Sequence, residues 1–329
     1  MPQKRGKDAS TDGAPAPKRR STRNATQKPQ YKEDSGSDSP VPKPKTKKLS
    51  NAKPAKTTKA VELSGPEQSS LSPISISIEH ESIKNPVDCE LYQTSASPES
   101  GAPQTMVFTH GAGGGLSAPA VFNFCTGYSA LHDILAFKGS INMNSRVKGF
   151  HACGDHLQKK SGSTSEWPSV FGGRSMGSRA AVIAATEIAA SSDKKGHYDI
   201  TLVLVSYPLI GPKNDMRDQI LLDLPERIRV LFIIGEKDSM CALDQLGEVR
   251  GKMKAKSWLV VVKGADHGMH VKPAKAEKVL GEMTGNIAAK WVDRQTLGED
   301  RDQKEIQIWW DDDGDGDGVK LGGWEGVAQ

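Results

Sequence analysis

Apolar residues are almost absent from the chain until Val61 and Leu63. At Ile74-Ser75-Ile76-Ser77-Ile78 the texture changes to strict alternation, the pattern of a strand with one face against a core. Short apolar runs then recur. TMVFTH (105–110) predicts a strand running into a glycine loop, ILAFK (134–138) a second, and 169–172 a short third. ITLVLVSY (200–207), VLFII (230–234) and SWLVVV (257–262) predict three more. Helix-length segments lie between them at 143–160, 176–190, 241–255 and 273–292. Strands apolar on both faces, alternating with helices, predict an α/β domain: a mostly parallel sheet with helices on both faces. Residues 74–294 suffice for one such core, and no internal repeat suggests a solenoid.

Charge separates both ends from this body. Residues 1–60 hold 16 Lys and Arg against 5 Asp and Glu, a net of +11, whereas the whole chain is only +4. Residues 1–73 are rich in Lys, Pro, Ser, Thr and Ala; such a segment cannot bury enough surface to offset its ordering entropy, and it reads as a disordered basic arm. Lys18-Arg19-Arg20 after Pro17, and Lys43, Lys45, Lys47 and Lys48 among prolines, are the kind of cluster an import receptor reads. That points to the nucleus, the cytoplasm or both. No aromatics interleave with the charges, so specific nucleic-acid binding is not expected. Residues 295–329 read as an acidic, Gly-rich tail. Asp313, Asp315, Asp317 and Gly318 copy the start of a calcium loop, but its twelfth position is Trp324 and no helix follows, so no metal is assigned. The first residues carry no apolar signal region, no run of 18 apolar residues suggests a membrane span, and Cys89, Cys125, Cys153 and Cys241 form no CxxC pair, as suits reduced thiols.

The candidate chemistry lies at strand ends. Gly173-Arg174-Ser175-Met176-Gly177 is a G-x-S-x-G between a predicted strand and an Ala-rich helix, where a nucleophile elbow belongs. Ser175 is the candidate nucleophile; Gly173 and Gly177 allow the close backbone approach that such a turn needs. The 105–109 strand ends in His110-Gly111-Ala112-Gly113-Gly114-Gly115, a loop able to aim the Ala112 N–H, with that of Met176, at a developing oxyanion. No Lys-Ser/Thr pair follows, which excludes a phosphate-binding P-loop, and His110 itself reads as structural. Asp238 follows one strand and His267 the next. Serine, then aspartate, then histidine, each after its own strand, is the chain order of α/β-hydrolases. Arg174 and Arg179 flank the elbow and could meet an acidic substrate group, or Arg179 a carboxylate of the body. His151 and His156, five apart on a predicted helix, face different sides and do not read as a metal pair.

The segments THGAGG (109–114), FKGSINMNSRVKGF (137–150), GGRSMGSRAA (172–181), SYPL (206–209), VLFIIGEKDSMC (230–241) and GADHGM (264–269) carry a resemblance. The chain resembles the α/β-hydrolase-like family that includes a testis-expressed protein and a regulatory subunit of the NSL histone acetyltransferase complex, near the dienelactone-hydrolase branch. The match spans about residues 105–292. It implies the eight-stranded hydrolase sheet; residues 121–133 depart from the plainer helix it would have. That branch often uses a cysteine nucleophile, whereas position 175 is serine.

Two functions follow as expectations. One is a serine hydrolase acting on an acyl ester or similar small-molecule carbonyl substrate through Ser175, Asp238 and His267, without a cofactor. The other is a non-catalytic hydrolase-like module in a chromatin-associated protein complex, as some family members are treated. Only 22 residues (208–229) separate two of the strands where lipases insert a lid, so a small or absent lid is expected.

Overall fold

The alternating Ile-Ser run forms the outermost strand of one sheet that carries almost every apolar run of the sequence. The structure is a computed structural model and describes residues 72–94, 104–161, 168–192, 199–297, 305–311 and 318–323. In chain order its elements are β1 (Ile74–Ile78), β2 (Val87–Tyr92), β3 (Met106–Thr109), α1 (Pro119–Tyr128), β4 (Ile134–Phe137), α2 (Met143–Ser161), β5 (Val170–Arg174), α3 (Met176–Ser192), β6 (Thr201–Val205), α4 (Gln219–Leu222), β7 (Arg229–Gly235), α5 (Leu243–Lys252), β8 (Lys256–Val262), α6 (Ala274–Leu297), β9 (Glu305–Trp310) and β10 (Val319–Gly323).

The strand order is β1-β2-β4-β3-β5-β6-β7-β8-β9-β10. From β4 to β9 every pair is parallel; β1, β2 and β10 run antiparallel to their neighbours. Strands 3 to 8 are buried nearly throughout, as a sheet covered on both faces requires. Met106, Phe108, Val203, Leu231 and Val260 meet α1 and α6 through Phe124, Tyr128 and Leu280. On the opposite face Phe150 of α2 packs edge-on against Phe137 of β4 and Phe171 of β5. Each such edge-to-face pair adds about 0.5–1.5 kcal/mol beyond its burial.

This is the α/β-hydrolase fold, and the segment between β6 and β7 holds a four-residue helix in place of a lid domain. Three expectations change. Among the described residues the sheet has ten strands, not eight. β2 was not anticipated, because VDCELY interrupts its apolar positions with Asp88 and Glu90; Val87, Cys89 and Leu91 nevertheless form its buried face. The domain does not stop at residue 294: α6 runs to Leu297, and β9 and β10 extend the sheet within the stretch read as a tail. The reason is the edge of β8, whose backbone groups pair with β9 while Ile308 is fully buried. The clusters at 17–20 and 43–48, and Asp313, Asp315 and Asp317, lie outside the described residues.

Candidate active site

β3 and β5 are neighbours, but the chain leaves β3 towards β4 on one side and returns to β5 on the other. Such a reversal opens a crevice at the carboxyl ends of the two strands, the place where ligands bind in open α/β sheets. The glycine loop leaves β3 there, and Ser175 follows β5 directly. Register fixes their level: Thr109 lies beside Gly173, and Arg174 beside Val205.

Ser175 has φ = 52°, a left-handed conformation that serine rarely adopts. It is held there by its N–H, which donates to the Val205 carbonyl at 2.9 Å, and by the first turn of α3, where Ser178 N–H and hydroxyl both donate to the Ser175 carbonyl. Gly173 and Gly177 are required by space. A Cβ on Gly173 would collide with the backbone of Gly177, and one on Gly177 with the carbonyls of Thr109 and His110. The elbow is thus pressed against the start of the glycine loop, and Gly111 lies beside the Ser175 side chain.

His267 arrives from the turn after β8. Gly264 (φ = 72°) and Met269 (φ = 63°) bend this loop, and Asp266 closes it by accepting the His270 N–H at 3.0 Å. Ser175 Oγ lies 2.9 Å from His267 Nε2. His267 Nδ1 lies 2.9 Å from both carboxylate oxygens of Asp238, whose side chain is wholly buried. Asp238 is fixed in turn by the Met240 N–H, which donates to Oδ1 at 2.9 Å. With Nδ1 protonated towards the carboxylate, Nε2 is left as the acceptor for the Ser175 hydroxyl. The structure therefore brings Ser175, His267 and Asp238, which follow three different strands, into one hydrogen-bonded line.

The two expected oxyanion donors follow neighbouring strands, Ala112 in the loop after β3 and Met176 after β5. Met176 opens α3, where helix N–H groups lack intrahelical acceptors and the helix dipole favours negative charge. Neither its N–H nor that of Ala112 is taken by an acceptor among the described residues. His110 is structural: it is buried, its Nε2 accepts the Gly139 N–H at 3.1 Å, and its Nδ1–H donates to the Gly111 carbonyl at 2.6 Å. Burial, with the nearby Arg146 cation, lowers its pKa and keeps it neutral.

Arg174 has one hydrogen bond that the sequence did not suggest. Its Nη2 donates to the His267 carbonyl at 2.7 Å, which braces the histidine loop against the elbow, and its charge lies near Asp238 and Asp266. Cys241 is buried behind Asp238, and burial pushes its thiol well up. His151 bonds Glu187 on α3 at 2.9 Å. A cavity of about 530 Å³ lies past the glycine loop, between Leu116, Lys138 and strands β1 and β2; neither Ser175 nor His267 lines it.

Comparison with known proteins agrees with this architecture. A family model described as an alpha/beta hydrolase domain matches residues 102–294. The chain belongs to the α/β-hydrolase family. Among solved structures it is similar to the esterase domain of a Rhodothermus marinus protein, at 12% identity and a TM-score of 0.51, covering 68% of this chain and 99% of that one. It is also similar to Est1E from Butyrivibrio proteoclasticus, at 13% identity and a TM-score of 0.50, over 67% and 99% of the two chains. A dienelactone hydrolase from Anabaena variabilis ATCC 29413 matches at 15% identity and a TM-score of 0.50, over 68% and 99%. At such identities the likeness concerns the fold.

Proposed function

We propose that this α/β-hydrolase is a serine hydrolase acting on small carboxylic esters or similar acyl compounds. The observation that carries this reading is the line from Ser175 Oγ to His267 Nε2 and from His267 Nδ1 to Asp238, built on a serine held at positive φ. Ser175 attacks the acyl carbonyl while His267 takes its proton, and Asp238 holds the imidazole tautomer and stabilises the imidazolium. The oxyanion forms against the N–H groups of Met176 and Ala112, each worth about 10²–10³ in rate. His267 then returns the proton to the leaving alkoxide, and water repeats the sequence on the acyl-enzyme. The lack of a lid domain between β6 and β7 supports an open site and compact substrates over long-chain lipids.

The test is covalent labelling. A fluorophosphonate should label the full chain, and Ser175→Ala should abolish labelling while leaving the melting temperature within a few degrees. An unlabelled wild type, or equal labelling of both, sinks the nucleophile assignment.

A second reading rests on the GGRSMGSRAA resemblance to the branch with an NSL-complex subunit and on the basic clusters at 17–20 and 43–48. It makes the domain a binding module of a nuclear protein complex, delivered by an import receptor. The labelling experiment separates the two readings, since an idle module has no use for a reactive serine.

A further inference from the structure

Arg146 is among the largest fully buried side chains of the protein, at 1% exposure. It stands on α2, outside the Ser175–His267–Asp238 line, and no carboxylate pairs with it among the described residues. Its guanidinium is satisfied by carbonyls alone. Nε donates to Ser140 at 2.7 Å, Nη2 to Gly139 at 3.1 Å and to Gly111 at 3.5 Å, and Nη1 to His110. Burying a cation without a counter-ion is costly, and its charge-assisted bonds to carbonyls serve to offset that cost. The charge therefore calls for a reason beyond packing.

The acceptors supply it. The four carbonyls belong to two loops, 110–111 after β3 and 139–140 after β4, and the guanidinium ties them together. Gly139 lies flat against it; a Cβ there would sit 2.7 Å from Cζ. The Gly111 carbonyl belongs to the same peptide unit as the Ala112 N–H. In a trans peptide the two point in opposite directions, so fixing the carbonyl aims the N–H. His110 Nδ1–H and Arg146 both donate to that carbonyl. Donors on its oxygen also polarise the amide and strengthen the bond its N–H gives.

We infer that Arg146 is a positioning residue for the oxyanion hole, clamping the 110–111 loop from behind so that the Ala112 N–H faces the Ser175 site. This rests on the serine-hydrolase reading. Arg146 touches no substrate; it acts through the Gly111–Ala112 peptide. A lysine would keep the charge but could not span four carbonyls in two loops, because it offers one point of donation instead of a planar fork.

The experiment uses the full chain, a fluorophosphonate and p-nitrophenyl acetate, with Arg146→Lys and Arg146→Gln. Both variants should melt cooperatively, label about 10–100-fold more slowly and lose kcat by a similar factor, with KM changed less than threefold. That split marks a donor misplaced in the transition state; a loss of ground-state binding would appear in KM. The acid limb of the pH–rate profile should stay in place, because His267 is untouched. Wild-type rates in a folded Arg146→Lys overturn the inference and leave the hydrolase reading standing. Failure of both variants to fold also overturns it, in favour of a purely structural cation. A wild type that never labels sinks the hydrolase reading, and this inference with it.

Discussion

At the scale of single residues, the proposed hydrolase separates groups that would exchange protons from groups that would hold them still. His267 and His270 stand three positions apart, yet only His267 reaches Ser175; His270 is exposed and directs Nδ1 to Glu277 at 3.2 Å. His267→Ala should therefore lower turnover of p-nitrophenyl acetate by several orders of magnitude, with His270→Ala close to wild type. Loss of a triad member leaves only the residual 10³–10⁴-fold acceleration that binding and the oxyanion hole supply. The reverse ranking of the two variants in a steady-state assay would refute the assignment. Arg174 belongs with the groups that hold. Its bond to the His267 carbonyl accounts for a large cation directly before Ser175.

At the scale of elements, legibility in the sequence followed burial. The six inner strands announced themselves because both faces are covered, which makes their runs continuous and apolar. The order of serine, aspartate and histidine was legible for the same reason: each follows one of those runs. β2 was hidden because a strand near the edge keeps charges at alternate positions. The irregular stretch from 121 is α1 as far as Tyr128 and turns beyond it; Pro119 stands at the helix start, and close contact with α6 explains the glycine, since a Cβ on Gly127 would strike the Glu282 backbone. Arg146 could not be read as functional, because its acceptors come from two loops that only the fold assembles. β9 and β10 were masked by the acidic composition around them. Their contribution is measurable. Ending the chain at residue 297 would remove Ile308, unpair Leu259–Val262 and break the Arg250–Glu305 ion pair. Burying one such isoleucine is worth about 1.5–3 kcal/mol, so the shortened chain should unfold at clearly lower urea and associate through the bared edge. An unchanged urea midpoint and a monomeric profile on gel filtration would show that the last two strands are ornamental.

At the scale of the whole molecule, charge and chemistry occupy different parts of the chain. Residues 1–60 carry +11 and the remainder −7, while every residue of the candidate site lies between Gly111 and His267. The regular apolar alternation begins only at Ile74, which motivates a test of whether the fold needs the residues before it. Labelling by a fluorophosphonate should accordingly survive removal of residues 1–71, along with the melting temperature. The arm's own role is tested apart from the fold. Residues 1–60 fused to a fluorescent protein should concentrate in the nucleus. Replacing Lys18, Arg19 and Arg20 together with Lys43, Lys45, Lys47 and Lys48 by alanine should spread the fusion through the cytoplasm. The two experiments read different things: at physiological salt the field of a charge decays over about 8 Å, so the arm's charges act only on what comes that near them. A fusion that stays cytoplasmic would reduce the clusters to solubilising charge and remove the arm's support for a nuclear complex. A shortened chain that labels more slowly would show instead that the arm reaches the site.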